Sequence, residues 1–336
     1  MRALVEKVLS RVDLTEGEAR ALLDYLTDPG LDPILAAAAL AGLRTKGETP
    51  DEVRAFAVGL REIAIRPDIP VATAAVDIVG TGGDGSGSLN LSTGSALVAA
   101  AAGVPVVKHG NRSISSRSGS ADVLAALGMS VPWDADQAAR VFADTGFTFL
   151  FAPTYHPAMK SIAPVRRALG VRTICNLAGP LANPATPPFA VIGAYSLDAA
   201  RMLATTLSAM PIERAFVVHG EPDWDEPTSI GPYHLFDVIP GSVIGSVEDP
   251  VHFGLRRCLP RDLAGGAPAF NAAAVRRVFA GEVGPHRDAL VLGASLALRV
   301  TGRDLDPMRA LANASAAIDD GRATDLLARL DGTYRV

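Results

Sequence analysis

Apolar positions along the chain fall into two regimes. From Arg2 to Ile65 they recur at helical spacing; from Val76 onward, short unbroken apolar runs alternate with helical patterns. In the first regime Arg2–Val12 predicts an amphipathic helix. Thr15-x-x-Glu18 is a capping box ahead of Ala19, Leu22, Leu23 and Leu26. Asp32-Pro33 supplies an N-cap and an N1 proline for Ile34–Leu43, with Gly47 as the stop. Thr49-x-x-Glu52 starts a fourth helix over Val53–Ile65. Four short helices predict a small helical domain over residues 1–68 or a dimer surface. The nearly all Ala and Leu run Leu35–Leu43 permits close helix packing. Pro67 and Pro70 mark a connector.

In the second regime Val76–Val79 reads as a buried strand, Gly80–Asn90 as a loop and Ser92–Ala102 as a helix. Val104–Val107 reads as a second strand and Lys108–Gly119 as a second loop, before a helix that stops at Gly128. Ala135–Thr145 predicts a helix, Phe147–Phe151 a strand, and the stretch closed by Gly170 a helix carrying Arg166 and Arg167. Phe189–Tyr195, Arg214–Val218 and Tyr233–Val238 follow as strands, Leu197–Met210 as a helix, and helices close the chain to about Leu330. Strand and helix in alternation predict an α/β domain over 69–336, with a mainly parallel central sheet flanked by helices.

Composition narrows the class. At 336 residues the chain suits about two domains, and 49% hydrophobic residues provide a core. A net charge of −5 without a basic tract argues against nucleic-acid binding. The charged start has no apolar segment of a secretory signal, and the apolar runs are too short or too charged to span a membrane. Cys175 and Cys258 have no motif spacing, as expected of reduced thiols in a cytoplasmic protein.

The two loops carry the chemistry. Glycines at 80, 82, 83, 85 and 87 let backbone N–H groups approach an anion, and the helix after the loop adds its dipole. Ser88, Ser92 and Thr93 add hydroxyls. The second loop adds Lys108, His109, Asn111, Arg112 and a run of serines, a donor density suited to a phosphate ester. Gly80, Gly82 and Gly85 formally fit a dinucleotide fingerprint. The loop, however, runs on to Asn90, and the next strand ends in Lys108 rather than an acidic residue. No G-K-[ST] is present, which excludes a Walker A site. Arg166 offers a fork for a substrate carboxylate, and Asp225-Glu226 is an acidic pair beyond a strand end. Each of these two features alone also fits a solvated surface.

The residues GTGGDG…NLST and KHGNRSISSRSG resemble those of the anthranilate phosphoribosyltransferase family, as do RTKGETPDEV, HPAMK…PVRR and VHG…DE. The resemblance covers nearly the whole chain. It implies transfer of a phosphoribosyl group from 5-phosphoribosyl-1-pyrophosphate (PRPP) to the amine of anthranilate, in tryptophan biosynthesis, by a Mg²⁺-dependent homodimer. It also implies that helices from about 155–185 join the small helical domain. For PRPP it implies Gly80, Thr81, Gly82, Gly83, Asp84, Ser88, Asn90, Ser92 and Thr93 from the first loop. From the second it implies Lys108, Asn111, Ser115, Ser116, Arg117 and Ser120. Gly80, His109, Asn111, His156, Met159, Arg166 and Gly179 are the expected acceptor contacts, and Ser92, Asp225 and Glu226 the expected metal ligands.

The chain departs from the family pattern at Tyr155, Cys175, Ala178, Asp223-Trp224, Pro227, Tyr233 and Gly293, and in Pro33-Ile34-Leu35. None of these removes a phosphate, metal or carboxylate ligand, but several could reshape the acceptor pocket. They leave open a related transferase with another aromatic acceptor. A nucleoside phosphorylase, a nicotinamide-dependent oxidoreductase and a catalytically silent homologue are the other readings.

Overall fold

A computed structural model describes residues 1–70, 74–112 and 117–331. Helices Arg2–Leu9, Glu16–Thr27, Pro33–Lys46 and Pro50–Glu62 form the amino-terminal unit. Both predicted capping boxes are made: the Thr15 and Thr49 hydroxyls accept from the N–H groups of Glu18 and Glu52. Asp32 caps the third helix, and Gly47 ends it. The Ala-rich run is largely consumed inside the unit. Ala36, Ala39, Leu40, Gly42 and Leu43 are buried, whereas Ile34 is 78% exposed.

Among the described residues seven strands form one sheet: β1 (Val76–Gly80), β2 (Val106–Gly110), β3 (Phe147–Phe151), β4 (Phe189–Gly193), β5 (Arg214–Gly220), β6 (Tyr233–Ile239) and β7 (Ser242–Glu248). Their spatial order is β3-β2-β1-β4-β5-β6-β7. The first five strands are parallel; β6 and β7 add an antiparallel edge. The order reverses between β1 and β4, so their carboxyl ends flank the crevice in which open α/β sheets hold ligands. The structure corrects the extent of β2, which runs on through Lys108 and His109 into what reads as loop. It also adds β7, turned back from β6 at Pro240-Gly241, where Gly241 takes φ +74.

One apolar core lies between the sheet and the carboxyl-terminal helices. There Leu91–Ala101 packs against Pro285–Val300. A second core joins the four amino-terminal helices to the other face of β4 and β5. It includes Ile162, Val165, Ile174, Cys175 and Ala178 from 155–185. Most departures from the family pattern are absorbed by packing. The Tyr155 hydroxyl donates to the carbonyls of Trp133 and Asp134, at 3.2 and 3.0 Å. Gly293 faces Ser95, where a Cβ would overlap the serine side chain. Buried Tyr233 donates to Glu248 Oε2 at 2.6 Å, and Arg299 pairs with both oxygens of that carboxylate at 2.6 and 2.8 Å. Burial opposes the Glu248 charge, but these bonds hold its carboxyl below the usual range.

Glu248→Ala leaves the Arg299 guanidinium unpaired in the core and is expected to cost about 3–5 kcal/mol. Tyr233→Phe removes one hydrogen bond and costs about 1 kcal/mol. Urea unfolding distinguishes the two; equal small losses would contradict the ion-pair role.

Candidate active site

Three adjacent parallel strands, β1, β4 and β5, end in glycine: Gly80, Gly193 and Gly220. Gly80 and Gly193 are register partners. Beyond Gly220 the chain turns back, with reciprocal 2.9 Å hydrogen bonds between the backbones of Gly220 and Trp224. The Trp224 ring is buried in the core. The next two residues, Asp225 and Glu226, then lie across the strand ends. A Cβ on Gly193 would overlap the Asp225 carbonyl, one on Gly80 the Asp225 carboxylate, and one on Gly220 the Glu226 carbonyl. Only glycine permits this approach.

The acidic pair meets the first loop through its backbone. Asp225 Oδ2 accepts from the Gly82 N–H at 2.6 Å, and Glu226 Oε1 from the Ser92 N–H at 2.9 Å. The Ser92 hydroxyl bonds the same glutamate. Asp84 Oδ2 lies 3.4 Å from the Asp225 N–H, and its Oδ1 accepts from Ser86. Burial pushes the Asp225 carboxyl well up, and repulsion from Glu226 and Asp84 adds to the rise. Burial likewise pushes Glu226 up to about 7, against the attraction of Lys108. Among the described residues no three or more His, Cys, Asp or Glu side chains form a metal cluster. Mg²⁺ needs none, because it takes one or two carboxylates and completes its shell with water and ligand phosphate. A buried and a half-buried carboxylate that repel each other, with a serine hydroxyl beside them, fit such an ion.

Beneath the pair, β1 and β2 share one register pair, Val76↔Val106, whereas β1–β4 and β2–β3 share five each. Side chains bridge the parted strands. Asp77 Oδ1 accepts from the His109 N–H at 3.1 Å, and Lys108 Nζ donates to the Ile78 carbonyl. Asn183 Nδ2 donates to Asp77 Oδ2 and to the Val107 carbonyl, both at 2.8 Å. Lys108 is 2% exposed and faces Asp77, Glu226 and Asp225. Burial lowers its pKa and raises that of Asp77 to about 6.

The remaining loop residues divide between ligand-facing candidates and internal ties. The Thr81 hydroxyl accepts from the Tyr195 N–H. The Asn90 amide donates to the Ser118 carbonyl and accepts from Asn271, and makes no helix cap. The Ser120 hydroxyl donates to the Asn111 carbonyl. Thr81 thus ties the first loop to the end of β4, Asn90 ties the first loop to the second, and Ser120 braces the second loop internally. Thr93 is buried, Ser88 is half-buried beside Ser86, and Asn111 and Arg117 are exposed. Ser115 and Ser116 lie outside the described residues.

Among the expected acceptor contacts, His109 and His156 meet edge-on at 5.1 Å, with Gly179 against His109. Burial, with His156 and Lys108 alongside, lowers His109 to about 3; burial also lowers His156. Both rings are neutral at pH 7. Met159 and Arg166 are half-buried, and the Arg166 guanidinium makes no hydrogen bond or ion pair among the described residues.

Sequence reasoning missed Asp77, Asn183, Arg172, Asn271 and the glycines 193 and 220. Two signals were available. A carboxylate inside the apolar run Val76–Val79 needs a partner, and VDIVG, FAVIG and RAFVVHG share a terminal glycine.

Residues 2–64 match the family model for a glycosyl transferase helical bundle domain, and 72–324 that for a glycosyl transferase a/b domain. The anthranilate phosphoribosyltransferase of Methylocella silvestris is 41% identical over 330 residues, covering 98% of this chain and 94% of its own. The crystal structure of anthranilate phosphoribosyltransferase from Thermus thermophilus aligns at TM-score 0.91 and 39% identity, over 99% of each chain. The Saccharomyces cerevisiae enzyme in complex with 4-fluoroanthranilate aligns at TM-score 0.87 and 25% identity, over 98% of this chain and 96% of its own. With this identity maintained over nearly its full length, the chain belongs to the anthranilate phosphoribosyltransferase family.

Proposed function

We propose that the protein transfers the phosphoribosyl group of PRPP to the amine of anthranilate, giving N-(5-phosphoribosyl)anthranilate and pyrophosphate. The observation that carries this reading is the meeting of the acidic pair with the Gly82 and Ser92 N–H groups at the strand crossover. Backbone donors and the amino end of the helix Leu91–Ala101 suit the pyrophosphate. Ser92, Asp225 and Glu226 would hold Mg²⁺, which supplies charge neutralisation for the departing pyrophosphate. Lys108 offsets the carboxylates from below. Arg166 holds the acceptor carboxylate. The bond from ribose C1 to pyrophosphate breaks, and the amine nitrogen bonds to C1. An arylamine is neutral at pH 7, so no base is needed before attack, and the nitrogen releases one proton to solvent once the bond to C1 has formed; burial lowers His109 to about 3, too weak a base for that proton, which suits a wall of the site. Catalysis is then positioning and charge stabilisation.

A homodimer through the helical unit belongs to the same proposal, supported by exposed Leu9, Val12 and Ile34. So does a cytoplasmic setting, supported by two unpaired cysteines. Among the described residues no helix is long and apolar enough to cross a membrane.

Turnover with PRPP, Mg²⁺ and anthranilate, followed by loss of anthranilate fluorescence and release of pyrophosphate, tests the reading directly. PRPP binding without turnover would move the acceptor to another aromatic amine; no PRPP binding would overturn the reading. Arg166→Ala is expected to raise the acceptor KM about 10–100-fold and leave the donor KM unchanged. Equal changes in both would reject the carboxylate role. Asp225→Asn with Glu226→Gln is expected to collapse turnover and flatten the Mg²⁺ titration. In the unsubstituted protein, Glu226 must lose its proton to bind metal. The half-saturating Mg²⁺ concentration is therefore expected to rise as pH falls below about 7. A pH-independent value would place the metal elsewhere.

A further inference from the structure

Three consecutive residues of the first glycine loop are each gripped by a different partner. The Thr81 hydroxyl accepts from the Tyr195 N–H at 3.1 Å, the Gly82 N–H donates to Asp225, and the Gly83 carbonyl accepts from Arg172 Nη2. The first two grips come from a strand end and the acidic pair. The third comes from the connection between helix Ala163–Leu169, which carries Arg166, and helix Ile174–Ala178. The Arg172 guanidinium also lies 3.9 Å over the Tyr195 ring. Thr81, Tyr195, Arg172 and Gly83 thus close a ring around the loop.

The third grip bears on anion binding through the planarity of the peptide. The Gly83 carbonyl and the Asp84 N–H belong to one rigid peptide unit and point to opposite sides of it. Gly83 takes φ +73 and carries no side chain to hold that unit in place. A turned unit would present a carbonyl where an anion needs an N–H. We infer that Arg172 is a positioning residue for the donor. It draws the Gly83 carbonyl to its own side and so keeps the Asp84 N–H on the opposite side. Arginine suits this task because one planar group both donates to the carbonyl and stacks on Tyr195; lysine does not stack in the same way. The inference rests on the reading that this loop binds the pyrophosphate of PRPP. Because Arg172 is six residues from Arg166, the same grip ties the acceptor-holding segment to the donor loop.

The test is steady-state kinetics of Arg172→Ala, Arg172→Lys, Tyr195→Leu and Tyr195→Phe, with product inhibition by pyrophosphate as a second readout. Arg172→Ala is expected to raise the donor KM and the pyrophosphate inhibition constant together, each about tenfold, at nearly unchanged kcat. Tyr195→Leu gives a similar but smaller rise, Arg172→Lys recovers only part of the binding, and Tyr195→Phe behaves as the unsubstituted protein. Donor KM and pyrophosphate inhibition that stay unchanged while the melting temperature falls would make Arg172 a structural tie and overturn the proposal. Should Arg172→Ala fail to fold, Arg172→Lys and Tyr195→Leu decide by the same two constants. If the unsubstituted protein does not bind PRPP, the functional reading itself fails, which is distinguishable from active protein with indifferent variants.

Discussion

Two carboxylates held side by side, one buried and one half-buried, are the constraint around which this molecule is arranged. Removing Asp225 and Glu226 from water is unfavourable unless opposite charge or hydrogen-bond donors lie close. The fold supplies both. Backbone N–H groups of Gly82 and Ser92 meet the carboxylates from above, and the Lys108 ammonium faces them from below. Three strand-terminal glycines remove the side chains that would keep the pair away.

Lys108 can be buried because the sheet opens to admit it. After Val76 the β1–β2 ladder gives way to side chains, and Asp77, Asn183 and Lys108 provide the cross-links that backbone would otherwise make. The widened gap lets one strand carry a cation toward the acidic pair and, one residue on, a neutral imidazole toward His156. Because neighbouring residues of a strand face opposite ways, Lys108 and His109 occupy opposite faces of the sheet without competing for space.

Much of the architecture was legible because local chemistry and tertiary structure agree. The Thr15 and Thr49 boxes, the Asp32 cap and the Gly47 and Gly170 stops all act as their residue types predict. The boundaries of β2 slipped because Lys108 and His109 look polar, and their burial depends on Asp77 and the acidic pair, far away in sequence. The strand β7 escaped because Ile244 and Val247 are exposed at the sheet edge, which leaves its apolar pattern without a buried face. In the site, motif spacing singled out the donors and the acidic pair. It could not reveal which side chains also brace the loops, as Asn90 does between the two loops and Ser120 within the second. Tyr155, Tyr233 and Gly293 look like changes to a pocket in the sequence, yet each is matched to a packing neighbour.

Asp223 takes φ +89, a conformation glycine would adopt more readily, directly before a tryptophan buried in the core. The turn is therefore held from its flank, with Trp224 as an anchor and the reciprocal bonds to Gly220 as a hinge pin. The acidic pair begins at the next residue. Its placement at the tip of this lever is a property of the hydrophobic core, so the position of the two carboxylates and the packing of the core are two readings of one mechanical linkage.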